Sequence, residues 1–189
     1  MAEPTREEAW QLVEEWVQSE SLRKHLLGVE AAMCAYARRF DEDEERYAVT
    51  GLLHDLDYER YPDLDTGHPR KALELFAELD YPQDLIDAVA GHATFLGVPR
   101  ESRMARTLFA VDELSGFVAA CALVRPAGIE GMTPKSVKKK LKQPSFAAGV
   151  NRDEVQQGAD ELGVDFTEHV AFVIAAMQER ADELGLANS

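Results

Sequence analysis

Apolar residues recur three and four positions apart along most of this chain, the spacing that lays one apolar stripe on an α-helix. The clearest run is Leu22, Leu26, Val29, Met33, Tyr36 and Phe40, which predicts a helix over 22–40. Before it, Thr5 and Glu8 form a capping-box pattern that starts a first helix carrying Trp10, Val13 and Val17. Asp41 and Glu44 offer a second cap pattern for a helix running into His54-Asp55. A loop rich in Tyr, Pro, Asp and Gly follows over 57–67. Pro69 and Pro82 suit the first turns of two further helices, one reaching about Leu79 and one ending near His92. A long helix is predicted over 103–124 and a last amphipathic one over 166–184, with Val170, Val173, Ile174 and Met177 on its apolar side. Between these two, Gly128 and Gly131 mark a loop, and Thr133-Pro134 opens the basic run 135–142. No alternating strand pattern, internal repeat or low-complexity segment interrupts the helices. The fold class is therefore all-α, with a helical core over 1–125 and a C-terminal helical extension over 126–189 packing on it.

At 189 residues and 46% hydrophobic, the chain suits one domain with a helical appendage and can bury a sizeable core. Its formal charge of -15 argues against a general nucleic-acid binder and against adsorption to anionic membranes. Cys34 and Cys121 sit in apolar helical stretches with no disulfide framework, and no signal peptide or membrane-length apolar run is visible. A cytoplasmic setting is the expectation. The pattern of residues does not indicate an oligomeric state.

Against this background the pair His54-Asp55 stands out, because two strong metal ligands follow the apolar run Leu52-Leu53. Neighbours on a helix point roughly 100° apart, so both can reach one ion only near a helix end or from either side of it. An ionised aspartate there is costly to bury unless it is paired or metal-bound. Asp112 poses the same problem inside Leu108-Phe109-Ala110-Val111-Asp112-Glu113-Leu114, where a metal or an arginine would serve equally well. His25 lies beside Leu22 and Val29, His68 at a helix start and His92 near a helix end; each taken singly is more simply a core, turn or cap histidine. His169 lies outside this set and is expected to be a packing or surface residue, and Glu113 a solvated one.

In order, His25, His54-Asp55 and Asp112 resemble the H…HD…D signature of the HD-domain superfamily of metal-dependent phosphohydrolases, over about residues 19–125. The phrases Lys24-His25-Leu26-Leu27-Gly28-Val29-Glu30, Gly51-Leu52-Leu53-His54-Asp55 and Ala110-Val111-Asp112-Glu113-Leu114 carry the resemblance. That superfamily is all-helical. His68 and His92 extend the likeness to branches that bind two metals, such as the HD-type diadenosine tetraphosphate hydrolases. The resemblance implies one ion on His25, His54 and Asp112, a second on His68 and His92, and Asp55 bridging. Pro69 after His68 departs from the Gly-Ala context of that branch, and no GYP-type motif of the cyclic-dinucleotide phosphodiesterases follows. The stretch 135–150 is similar to that of small bacterial HD proteins.

The implied cofactor is one or two divalent transition-metal ions, drawn from Fe, Mn, Co, Ni or Zn by the mixed imidazole and carboxylate ligands. The implied reaction is hydrolysis of a nucleotide or other small phosphate ester or anhydride by metal-bound hydroxide. Asp55 and Asp57 are the candidate catalytic acids; Asp57 could orient water, a solvated turn acid being the simpler role. So acidic a chain needs cations for an anionic substrate, and Lys24, Arg70 and Arg103 are the first candidates, with Lys71, Arg100 and Arg106 nearby. The lysines of 135–142 more simply form a solvated helix face. The same ligands would serve a di-iron HD-type oxygenase, and a non-catalytic metal-binding regulatory module is a further alternative. Specificity is expected from 58–67, 94–103 and the C-terminal helices.

Overall fold

The computed structural model describes residues 3–187, and among them every regular element is a helix. Helix α1 (Arg6–Trp16) begins at the Thr5–Glu8 capping box, with Thr5 Oγ1 accepting from the Glu8 N–H and Glu8 returning the bond to the Thr5 N–H. Helix α2 (Glu20–Phe40) starts at Ser19 and buries the stripe Leu26, Val29, Met33 and Tyr36. Asp41, expected to open the next helix, instead closes α2 in the left-handed region at φ 56°. The cap of α3 (Glu44–Leu53) is Asp43, whose side chain accepts from the Arg46 N–H. Turns over 54–60 lead to α4 (Arg70–Glu78) and α5 (Gln83–His92). A short 3-10 turn, Thr94–Leu96, precedes the central helix α6 (Arg103–Leu123).

Helices α2, α3, α5 and α6 pack against one another and build the core around Leu52, Leu53, Leu108 and Leu114, all fully buried. Gly51 lets α3 lie close on α2, since a Cβ there would stand 3.1 Å from the Glu30 Cα. The C-terminal part adds α7 (Pro134–Leu141), α8 (Arg152–Leu162), α9 (Phe166–Gln178) and α10 (Ala181–Leu184). Val137, Val155, Val170 and Val173 join the same apolar core as the first part of the chain.

Two features here differ from the pattern-based expectation. Helix α8 was not anticipated, because only Val155, Gly158 and Ala159 are buried on it and its other residues are mostly polar. The single helix expected over 166–184 breaks at Glu179–Arg180, and Arg180 reaches back to Glu30 at 2.8 Å. Glu30 is 3% exposed and also takes Arg6 at 2.7 Å, so one buried carboxylate ties α1, α2 and the chain's last turn together. His169 is fully buried between helices, with Nε2 donating to Ala110 O at 2.9 Å and Nδ1 accepting from Tyr36 OH at 2.6 Å. Cys34 and Cys121 are unpaired, and burial pushes both thiols up to about 11. Among the described residues no helix is long and apolar enough to cross a membrane.

Candidate metal centre

Helix α3 stops at Leu53, and its turn carries His54 and Asp55 into the space between α2, α5 and α6. The helix end is what lets two consecutive side chains converge. Asp55 lies at the middle of the site. Its Oδ2 is 3.5 Å from His54 Nε2 and 3.9 Å from His25 Nε2, while its Oδ1 is 3.4 Å from His68 Nε2 and 3.3 Å from His92 Nε2. One carboxylate thus faces two pairs of imidazoles with its two oxygens. Asp112, from the middle of α6, brings Oδ1 to 3.0 Å from His25 Nε2 and 3.3 Å from His54 Nε2. Two ligand groups result, His25, His54 and Asp55 on one side and Asp55, His68 and His92 on the other; both suit a divalent metal ion.

The tautomers make the case for a cation. His54 Nδ1 donates to Gly51 O at 2.8 Å, His92 Nδ1 donates to Val89 O at 2.5 Å, and His68 Nδ1 donates to Asp57 Oδ1 at 2.8 Å. Each Nε2 then offers a lone pair toward carboxylate oxygens, the arrangement in which an outer hydrogen bond orients a ligating histidine. His54 Nε2 is buried with no hydrogen-bond partner. Burial opposes protonation of His54, but without an ion the charges of Asp55 and Asp112 outweigh it and push the imidazole up to about 10; a proton on Nε2 then stands where a metal ion would displace it. Burial likewise works against ionised Asp55 and Asp112, yet the neighbouring imidazoles hold both carboxyls below the usual range. So many lone pairs and negative charges in one place fit a positive ion, and the residues present are those that bind one.

Asp57 is a correction. The solvated turn acid, or the water-orienting one, is fully buried, and both its oxygens are taken by protein donors: His68 Nδ1 and the Ala72 N–H, each at 2.8 Å. It positions His68.

A cavity of about 430 Å³ opens onto Asp55, His25, His68, His92 and Asp112. Tyr58, Leu64, Thr94 and Phe95 come from the two loops expected to set specificity, and Gly149, Val150 and Glu154 from the C-terminal part. No lysine or arginine is among the described residues lining it. The candidate cations are engaged elsewhere. Lys24 pairs with Glu20 at 2.6 Å, and Arg103 with Glu42 at 3.2 Å at the far end of α6. Arg70 does not line the cavity but adjoins it, donating to Leu64 O and lying over the Phe95 ring, and Lys71 pairs with Glu74. Arg100 pairs with Glu161 at 2.7 Å, and Arg106 donates to Arg100 O. Lys138 of the basic run bonds Thr167. Glu113, expected to be solvated, is partly buried on the cavity wall; burial and the adjacent Asp112 push it up to about 7 against the pull of the Asn151 N–H.

A family model described as HD domain matches residues 22–116, a span that begins three residues before His25 and ends four after Asp112. No curated protein and no solved structure matches the chain.

Proposed function

The chain belongs to the HD-domain family, and on that footing we propose that it is a metal-dependent phosphohydrolase acting on a small phosphate ester or anhydride. The observation that carries this reading is Asp55, whose two oxygens face two separate pairs of imidazoles. His25, His54, Asp55 and Asp112 would hold one ion, and Asp55, His68 and His92 the other. Ions so held supply Lewis acidity, which lowers the pKa of water and polarises a phosphoryl oxygen. The chain's own residues do the rest. Asp57 and two backbone carbonyls fix the rings of His68, His54 and His92, so the Nε2 atoms are set before substrate arrives. With no lysine or arginine among the described residues lining the cavity, the ions would supply the charge that attracts a phosphate. Tyr58, Leu64 and Phe95 give the same cavity an apolar stretch of wall.

The test joins elemental analysis to phosphate release. Protein purified without added metal should carry a transition metal and release phosphate from a panel of nucleotides and simple esters. Asp55→Ala should lose all bound metal and the activity together. Hydrolysis that persists after chelation has stripped the metal would overturn the reading, as would oxygen uptake by the iron-loaded protein without any phosphate release.

A further inference from the structure

A second cavity, about 580 Å³ and larger than the metal cavity, lies on the other side of His25. The two share His25 and Gly116 as lining residues. Along α6 the lining runs from Asp112 in the metal cavity through Gly116, common to both, to Ala119, Ala120 and Leu123 in the second. Those positions fall on one helical face, so a single small-residue track leads away from the metal centre for about 16 Å at 1.5 Å per residue. Gly28 of α2 and Met177, Leu184 and Leu186 of the C-terminal part form the other walls. At Gly116 the two cavities meet across the His25 ring, which an added Cβ would touch at 3.7 Å from Nδ1, so any side chain there would fill a junction that is already narrow.

Two polar features complete it. Ser115 is 1% exposed, lines this cavity next to the junction, and its buried hydroxyl has no hydrogen-bond partner. A hydroxyl left so is costly, and by turning toward the groove it would gain a polar atom of a ligand as partner. At the rim, Lys24 and Glu20 pair with each other.

We propose that the substrate's phosphoryl head occupies the metal cavity and that an apolar chain or ring beyond it lies in this second groove. The inference rests on the phosphohydrolase reading. It narrows the substrate class to phosphate esters of apolar alcohols, with one polar atom near the head to meet Ser115. Ala119, Ala120, Leu123, Met177, Leu184 and Leu186 make most of the wall apolar, with the polar Glu20, Ser21 and Lys24 on its α2 side.

The test uses n-alkylphosphonates from methyl to octyl, which cannot be hydrolysed at the P–C bond by this chemistry. They are titrated calorimetrically into the full-length protein loaded with Mn²⁺. Affinity should climb with chain length, by up to about fourfold per buried methylene, the equivalent of ~0.8 kcal/mol. Ala120→Phe, which fills the groove, and Gly116→Leu, which closes the junction, should each flatten that climb; two variants guard against one failing to fold. In parallel, n-octyl phosphate should be hydrolysed with a higher kcat/KM than methyl phosphate. Affinity independent of chain length, or a climb that survives both folded variants, overturns the groove proposal and leaves the phosphohydrolase reading standing. A chain-length climb lost in the variants, with no ester hydrolysed by the wild type, upholds the groove and overturns the phosphohydrolase reading. Absence of any phosphonate binding overturns both.

Discussion

Asp57 Oδ1 accepts the 2.8 Å hydrogen bond of His68 Nδ1, and the bond turns the far nitrogen of that ring toward Asp55. The other oxygen of Asp57 holds the Ala72 N–H near the start of α4, so one buried carboxylate sets both the ring and the helix behind it. Asp57→Asn offers a single acceptor oxygen to two donors. Metal affinity at the His68 and His92 side should fall about 10–100-fold, the usual cost of losing such an outer partner. Competition against a chromophoric chelator reads this directly, and wild-type affinity in the variant would show that Asp57 only fills space.

Glu30 is the charge on which the two ends of the chain converge, held by Arg6 and Arg180 at 2.7 and 2.8 Å. Glu30→Gln keeps the shape and removes the charge, leaving two guanidiniums facing each other. Breaking a buried pair costs about 3–5 kcal/mol, and the partial exposure of Arg6 puts this case near the low end. Urea unfolding should show a loss of about 3 kcal/mol; less than 1 would mean that solvent already screens the pair.

His169 gives the fold a pH dependence of its own. Burial holds its imidazole below the ordinary value of 6.5, outweighing the opposing help from the Ala110 carbonyl. The unfolded chain therefore takes up a proton near pH 6.5 that the folded chain refuses, and stability falls as pH drops through that value toward the lower folded pKa. Above about pH 7 neither state is protonated there and the contribution is flat. In unfolding curves at saturating metal, the difference between wild type and His169→Asn should narrow as pH falls from 7 to 5. A difference constant across that window would contradict the assignment.

Gly158 touches α6 closely enough that a Cβ would stand 2.6 Å from the Ala110 Cα. On an isolated helix Gly→Ala gains about 1 kcal/mol. Here backbone must move, so Gly158→Ala should lower Tm, and since Ala110 is two residues from Asp112 it should weaken metal binding too. A raised Tm would show that α8 can shift at little cost.

How much of this was legible in the sequence follows from what each residue contacts. His54, Asp55 and Asp112 stand out because charged or ligating groups sit in or after apolar helical runs, where they need a partner. His25, His68 and His92 become informative only in order with those three. Asp57 misled because a turn acid is normally solvated, and nothing local shows that Ala72 and His68 close over it. Helix α8 stayed hidden because its contact with α6 uses Gly158 and Ala159, which carry almost no hydrophobic signal. Nor does the sequence show where its cations turn: Arg100, Arg103 and Lys24 are close to ligands in sequence but pair with Glu161, Glu42 and Glu20.

The wall of the metal cavity, bare of lysine and arginine, has a consequence for the idle protein. With Asp55, Asp112 and Glu154 around it and no lysine or arginine among the described residues lining it, the ion-free site has only imidazoles such as His54 to offset its carboxylates and offers an anion little attraction. On the proposed reading, metal supply would then govern binding as well as turnover: a chain without its ions would neither hydrolyse nor hold phosphate compounds, and would gain both properties as the ions return.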